Sequence, residues 1–143
     1  MDILKLKEDL DKYFKNLNVE FQNEIIEHEG LKVETLMTHI NLKPLDNLHV
    51  HLNIVGYENG TGQITFNFGR VKVSSEFLAS VLKMNIKSFA FKAAVEFDEL
   101  RFYNQGFFKD SENFIFNLDM AIQMFLSKNN LNLLKEFTKY LEK

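Results

Sequence analysis

The amino-acid sequence predicts one α+β domain spanning residues 1–143: an N-terminal helix, an antiparallel β-meander of about four to six strands, helices packed on one face of the sheet, and a helical C-terminus. Three observations predict it. Apolar residues recur at helical spacing at both ends of the chain. Between residues 19 and 68 they alternate with polar ones at the two-residue period of strands. Short turn signals separate the alternating runs, and strands joined by short turns pair antiparallel.

Residues 2–17 read as an amphipathic helix capped by Asp2, with Ile3, Leu6, Leu10, Tyr13, Phe14 and Leu17 on one side. A strand follows from Val19 to Ile26, with Val19, Phe21 and Ile25 set against Glu20, Gln22 and Glu24. His28-Glu29-Gly30 is a turn. Leu31 to Leu42 is a second strand whose apolar phase shifts midway: Leu31 and Val33 are odd, Leu36, Ile40 and Leu42 even. Such a shift predicts a β-bulge near Glu34–Thr35. Pro44 marks a link, since a central strand does not tolerate it. Leu48, Val50, Leu52 and Ile54 then alternate with His49, His51 and Asn53, and Asn59-Gly60 is a hairpin turn into a strand carrying Ile64, Phe66 and Phe68.

Ser74 or Ser75 caps a short helix to about Lys83, with Phe77, Leu78, Val81 and Leu82 as its apolar face. Residues 86–108 fit two strands, about 88–97 and 99–105, although their alanines and glutamates also suit a helix. Leu118, Ala121, Ile122, Phe125 and Leu126 form one C-terminal helical stripe, and Leu131, Leu134, Phe137, Thr138 and Leu141 another. The order of elements resembles that of type III secretion chaperone-like domains; the resemblance is one of layout and carries no function with it.

Composition excludes several functions. Seventeen basic residues against twenty acidic give a net charge of −3, without the clustered positive surface a general nucleic-acid binder needs. There is no cysteine, hence no disulfide, thiolate nucleophile or thiolate metal site. No run approaches the ~18 apolar residues of a membrane span, and the N-terminal residues lack signal-peptide character, so a cytoplasmic location is expected. Fifteen Phe with no Trp, beside heavy use of Asn and Lys, is the usage of an AT-rich bacterial or phage-like genome.

The histidines carry the sharpest chemical hint. His49-Val50-His51 places two imidazoles on one strand face. Matching apolar residues across the Pro44 link sets Ile40 beside Val50, Leu42 beside Leu48, His39 opposite His51 and Asn41 opposite His49. The Asn59-Gly60 hairpin sets Asn53 beside Thr65 and His51 beside Asn67. The outer sheet face then reads His39, His49, His51, Asn53, Thr65, Asn67: uncharged and hydrogen-bonding, as an interaction face is. Three neutral imidazoles also suit Zn²⁺ with one position open.

Other motifs read as structure. Glu96, Asp98 and Glu99 are a strand-to-strand turn before they are an acid–base pair or a Mg²⁺ site. Ser74-Ser75 is a cap, and Gly60-Thr61-Gly62 lacks the Lys and helix of a phosphate loop. Phe107, Phe108, Phe114, Phe116, Met120, Met124 and Phe125 are expected in the core. The function expected is therefore a non-enzymatic protein-interaction module, a homodimer binding another protein, with no cofactor, nucleic acid or membrane. The alternatives are a metal-binding protein or small metalloenzyme using His39, His49 and His51, and a small-ligand carrier with a pocket lined by Phe66, Phe68, Phe89 and Phe91.

Overall fold

A computed structural model describes residues 1–88 and 91–142. Helix α1 (Ile3–Asn16) leads into strands β1 (Phe21–His28), β2 (Leu31–Leu42), β3 (Leu48–Tyr57) and β4 (Thr61–Arg70). Helix α2 (Ser75–Lys87) precedes strands β5 (Lys92–Glu96) and β6 (Glu99–Phe107), and helices α3 (Ser111–Phe125) and α4 (Lys128–Lys135) follow. The six strands form one antiparallel sheet in the order β1-β2-β3-β4-β6-β5, as the α+β reading expects.

Each helix starts where an oxygen-bearing side chain can satisfy a free N–H. Asp2 accepts from the Lys5 amide at 3.1 Å and Ser74 from Phe77 at 3.1 Å. Asp110 and Ser127 do the same for α3 and α4. The hairpin turns fall at residues that tolerate positive φ, with Gly30 at 78° and Gly60 at 97°. The β5–β6 turn places the non-glycine pair Phe97 and Asp98 at 53° and 62°, confirming that the acidic cluster there is a turn.

The helices pack on one face of the sheet. Ile3, Leu6, Leu10 and Phe14 of α1, and Phe114, Leu118, Ile122 and Phe125 of α3, share one apolar core with Leu52, Ile54, Ile64 and Phe66. Gly56 and Gly62 let those helices approach: a Cβ at Gly56 would sit 2.5 Å from Leu6 Cδ2, and one at Gly62 2.6 Å from Phe114 Cε2.

Three expectations are corrected. No bulge interrupts β2, whose pairing with β3 runs unbroken from Val33 to Leu42. Glu34 occupies a core-facing position beneath α1, while Val33 is buried on the other face between its strand neighbours Ile26 and Tyr57, so the apolar phase changes without a register shift. The irregularity lies in β4 instead, between Asn67 and Gly69, where the pairing with β6 shifts and Gly69 takes φ 100°. Helix α2 buries Phe77, Val81 and Met84, not Leu78 and Leu82, because a helix of its length presents only one stripe to one neighbour. The Phe/Met set divides: Phe108, Phe114 and Phe125 are core, whereas Phe107, Phe116, Met120 and Met124 are exposed.

Candidate functional site

The outer sheet face is opposite the helices, and its centre is built by β2, β3 and β4. Residues Lys43–Leu45 form a 3₁₀ turn holding Pro44, and Asp46 and Asn47 follow in left-handed conformations. This corner returns β3 against β2 in the register that apolar matching requires. His39 pairs with His51, Asn41 with His49, Ile40 with Val50 and Leu42 with Leu48. The His39 and His49 ring centroids are 4.6 Å apart, and His51 stands 6.2 Å from His39 and 6.3 Å from His49. All three imidazoles are exposed. The fourth histidine, His28, lies at the far end of β1, 6.5 Å from the Tyr57 ring.

The β3–β4 hairpin sets Asn53 beside Thr65 and His51 beside Asn67, also as the register predicts. These four residues are not equally available. Asn53 is half-buried, but Thr65 and Asn67 are buried, so the accessible face is narrower than alternation alone implies. The cause is β6, which sets the large side chains of Tyr103 and Arg101 beside Thr65 and Asn67. Asn67 is further committed to its own strand, its Oδ1 accepting from the Gly69 amide at 2.8 Å across the irregularity.

Arg101 and Tyr103 extend the polar row and were not singled out from sequence. Arg101 Nη2 reaches Glu99 Oε1 at 2.7 Å and its Nη1 lies 3.5 Å from Glu96 Oε2. Tyr103 donates its hydroxyl hydrogen to Glu96. Hydrogen bonding from Arg101 holds the Glu99 carboxyl below its ordinary range. The row His39–His51–Asn67–Arg101 thus crosses four neighbouring strands in register. Alternation of Glu99, Arg101 and Tyr103 along one face was the available signal.

Among the described residues no group of three or more His, Asp or Glu side chains is arranged to hold a metal ion. A groove of about 670 Å³ between α1 and the start of α3 contains Asp9, Tyr13 and Ser111. Several of its groups are already paired: Lys5 and Ser111 both reach Asp9, at 3.0 and 2.8 Å, and Tyr13 donates to Asp119, outside the groove, at 2.9 Å. The phenylalanines expected to line a carrier pocket fill the interior themselves. Phe66 stacks on Phe125 at 3.8 Å and 7°, with Phe91 and Phe68 edge-on to the same ring. Phe89 lies outside the described residues.

The exposed helix surface adds one feature, of which Leu78 and Leu82 were expected on the buried face of the helix. Leu78, Leu82 and Ile86 recur every four residues along α2 and are 50%, 64% and 77% exposed. No protein-family model and no curated protein matches the chain.

Proposed function

We propose that the chain is a non-enzymatic protein-interaction module that pairs with a second copy of itself and receives another protein on its outer sheet face. The observation that carries this reading is the uncovered face itself, with three exposed imidazoles and Asn53 presented by the rigid centre of a six-stranded sheet. The α2 stripe supports self-pairing, since an apolar row of this exposure is the kind of surface that association covers.

The test is site-specific photo-cross-linking in cells of the native host. A benzophenone side chain at position 53 is expected to yield one discrete adduct, and the same group at position 112, on exposed α3 surface, none. Equal labelling at both positions, or none at either, counts against the reading.

One observation favours a second reading, metal binding by His39, His49 and His51: their ring centroids fall within 4.6–6.3 Å of one another. Native mass spectrometry of the untagged protein separates the two. The first reading expects a metal-free dimer that Leu82→Glu converts to monomer. The second expects one zinc per chain, lost with His51→Ala. A metal-free monomer supports neither.

A further inference from the structure

The two edges of the sheet are treated differently. At the β5 edge, the Asn85 side chain of α2 pairs with the main chain of Ala93, donating to its carbonyl at 3.0 Å and accepting from its amide at 2.6 Å. The main chain of that strand is thereby capped at Ala93. At the other edge, β1 pairs with β2 on one side and with no described strand on the other. β1 also stops short: its pairing begins at Phe21 and Thr38, so His39 to Leu42 of β2 have no partner on that side.

Two concavities lie over the β1–β2 pair beside this open edge. One, of about 600 Å³, is bounded by Val19, Gln22, Met37, His39 and His51 among others. The second, of about 450 Å³, is bounded by Gln22, Glu24, Ile26, Thr35 and Met37 with Asn23. Gln22 and Met37 form their common wall. Val19, Ile26 and Met37 are exposed apolar groups along it.

The charge is of one sign. Between Asn18 and Leu31 there are four glutamates, Glu20, Glu24, Glu27 and Glu29, and no lysine or arginine. All four are exposed. Among the described residues Glu20, Glu24 and Glu27 form no ion pair. Lys32, opposite Glu27 on β2, is the one basic residue in register with the strand.

We infer that the β1 edge is a docking line for an extended, lysine- or arginine-bearing segment of a partner protein, which adds to the sheet as a seventh strand. Main-chain hydrogen bonds to β1 supply the register, and basic side chains on the outer face meet Glu20 and Glu24, which border the two concavities. Charge decides between occupants. Two copies pairing β1 to β1 would bring their eight edge glutamates together, which like-charge repulsion opposes. A basic strand is attracted by the same groups. The inference rests on the interaction-module reading; the added strand pairs with β1 and reaches the histidine face at its rim, at His39 and His51, not at Asn53. Cross-linking at position 53 and peptide binding at β1 can therefore fail separately.

The test uses the whole chain and a blocked, fluorescein-labelled heptapeptide alternating lysine and valine, read by fluorescence anisotropy. Binding is expected to weaken at least tenfold in the Glu20→Gln/Glu24→Gln/Glu27→Gln variant. It is also expected to weaken at least tenfold when the peptide is N-methylated at one set of alternate residues, and to survive methylation of the other set. That asymmetry is the signature of strand pairing, which a charge contact alone does not produce. Equal binding of both methylated peptides overturns the inference, as does no binding of the unmethylated peptide at about 1 mM, a concentration at which even contacts of about 4 kcal/mol register. Self-association of the unliganded chain that the triple variant strengthens also overturns it, because the edge would then belong to a second copy.

Discussion

Above pH 7 the Glu34→Gln variant is expected to be more stable than the parent, by about 2 kcal/mol at pH 8, with the gap closing toward pH 4.5. Glu34 is fully buried on the core face of β2, and neither carboxylate oxygen has a hydrogen-bond partner among the described residues. Burial pushes its carboxyl up to about 7, reinforced by Asp11 and Glu24 and opposed by Asn23 and Lys7. The opposing groups are partly spent elsewhere: Asn23 donates to Asp11 at 2.7 Å, and Lys7 lies 3.6 Å from the same carboxylate. A folded-state value raised above the unfolded one means that the native state binds the proton more tightly. Stability is then fully present below about 4.5 and declines as pH rises to about 7. The neutral amide removes that decline. The gain stays below the full ~3 kcal/mol of the shift because the amide must itself be desolvated. Urea unfolding at pH 4.5, 6 and 8 measures it. A parent whose stability is flat over that range, matched by a variant no better at pH 8, would show that Glu34 is ionised at no cost.

The same residue shows where sequence reasoning stopped. An acid in the middle of an apolar strand reads as an interruption, so the phase change around Glu34 implied a bulge. Only the position of α1 over that strand reveals a continuous strand with a buried acid. The β2–β3–β4 register around the histidines was legible, because Pro44 fixed the corner and three apolar runs had to meet face to face. Hence the convergence of His39, His49 and His51 was readable before any coordinates. The burial of Thr65 and Asn67 was not, since it depends on Arg101 and Tyr103 in a segment whose strand and helix signals compete. Helix α2 carries apolar residues on two adjoining stripes, Phe77-Val81-Met84 and Leu78-Leu82-Ile86. Periodicity finds both but cannot say which one meets the sheet. That choice is made by Asn85, whose bonds to Ala93 fix the rotation of the helix against β5.

On α3 the same ambiguity can be converted into a measured contrast. Phe125→Ala is expected to cost about 3–5 kcal/mol, and Phe116→Ala on the same helix less than about 0.5. Phe125 is fully buried and touches four other rings: it stacks on Phe66 at 3.8 Å and meets Phe68, Phe91 and Phe102 at centroid distances of 5.6–6.3 Å. Truncation removes the transfer free energy of one ring and leaves its four neighbours around a void, since a sheet pinned by β4 and β6 cannot collapse into it. A domain of this size has only about 5–15 kcal/mol in total, so the variant loses a large share of its margin and much of its cooperativity in urea. Phe116 is 65% exposed and loses almost nothing on truncation. If both substitutions cost alike, α3 is rotated from the position described, and the exposure of Met120 and Met124 along its outer side goes with it. If the costs separate as expected, the apolar residues left outside on α2 and α3 are surplus to the core. They would be surface that folding does not require.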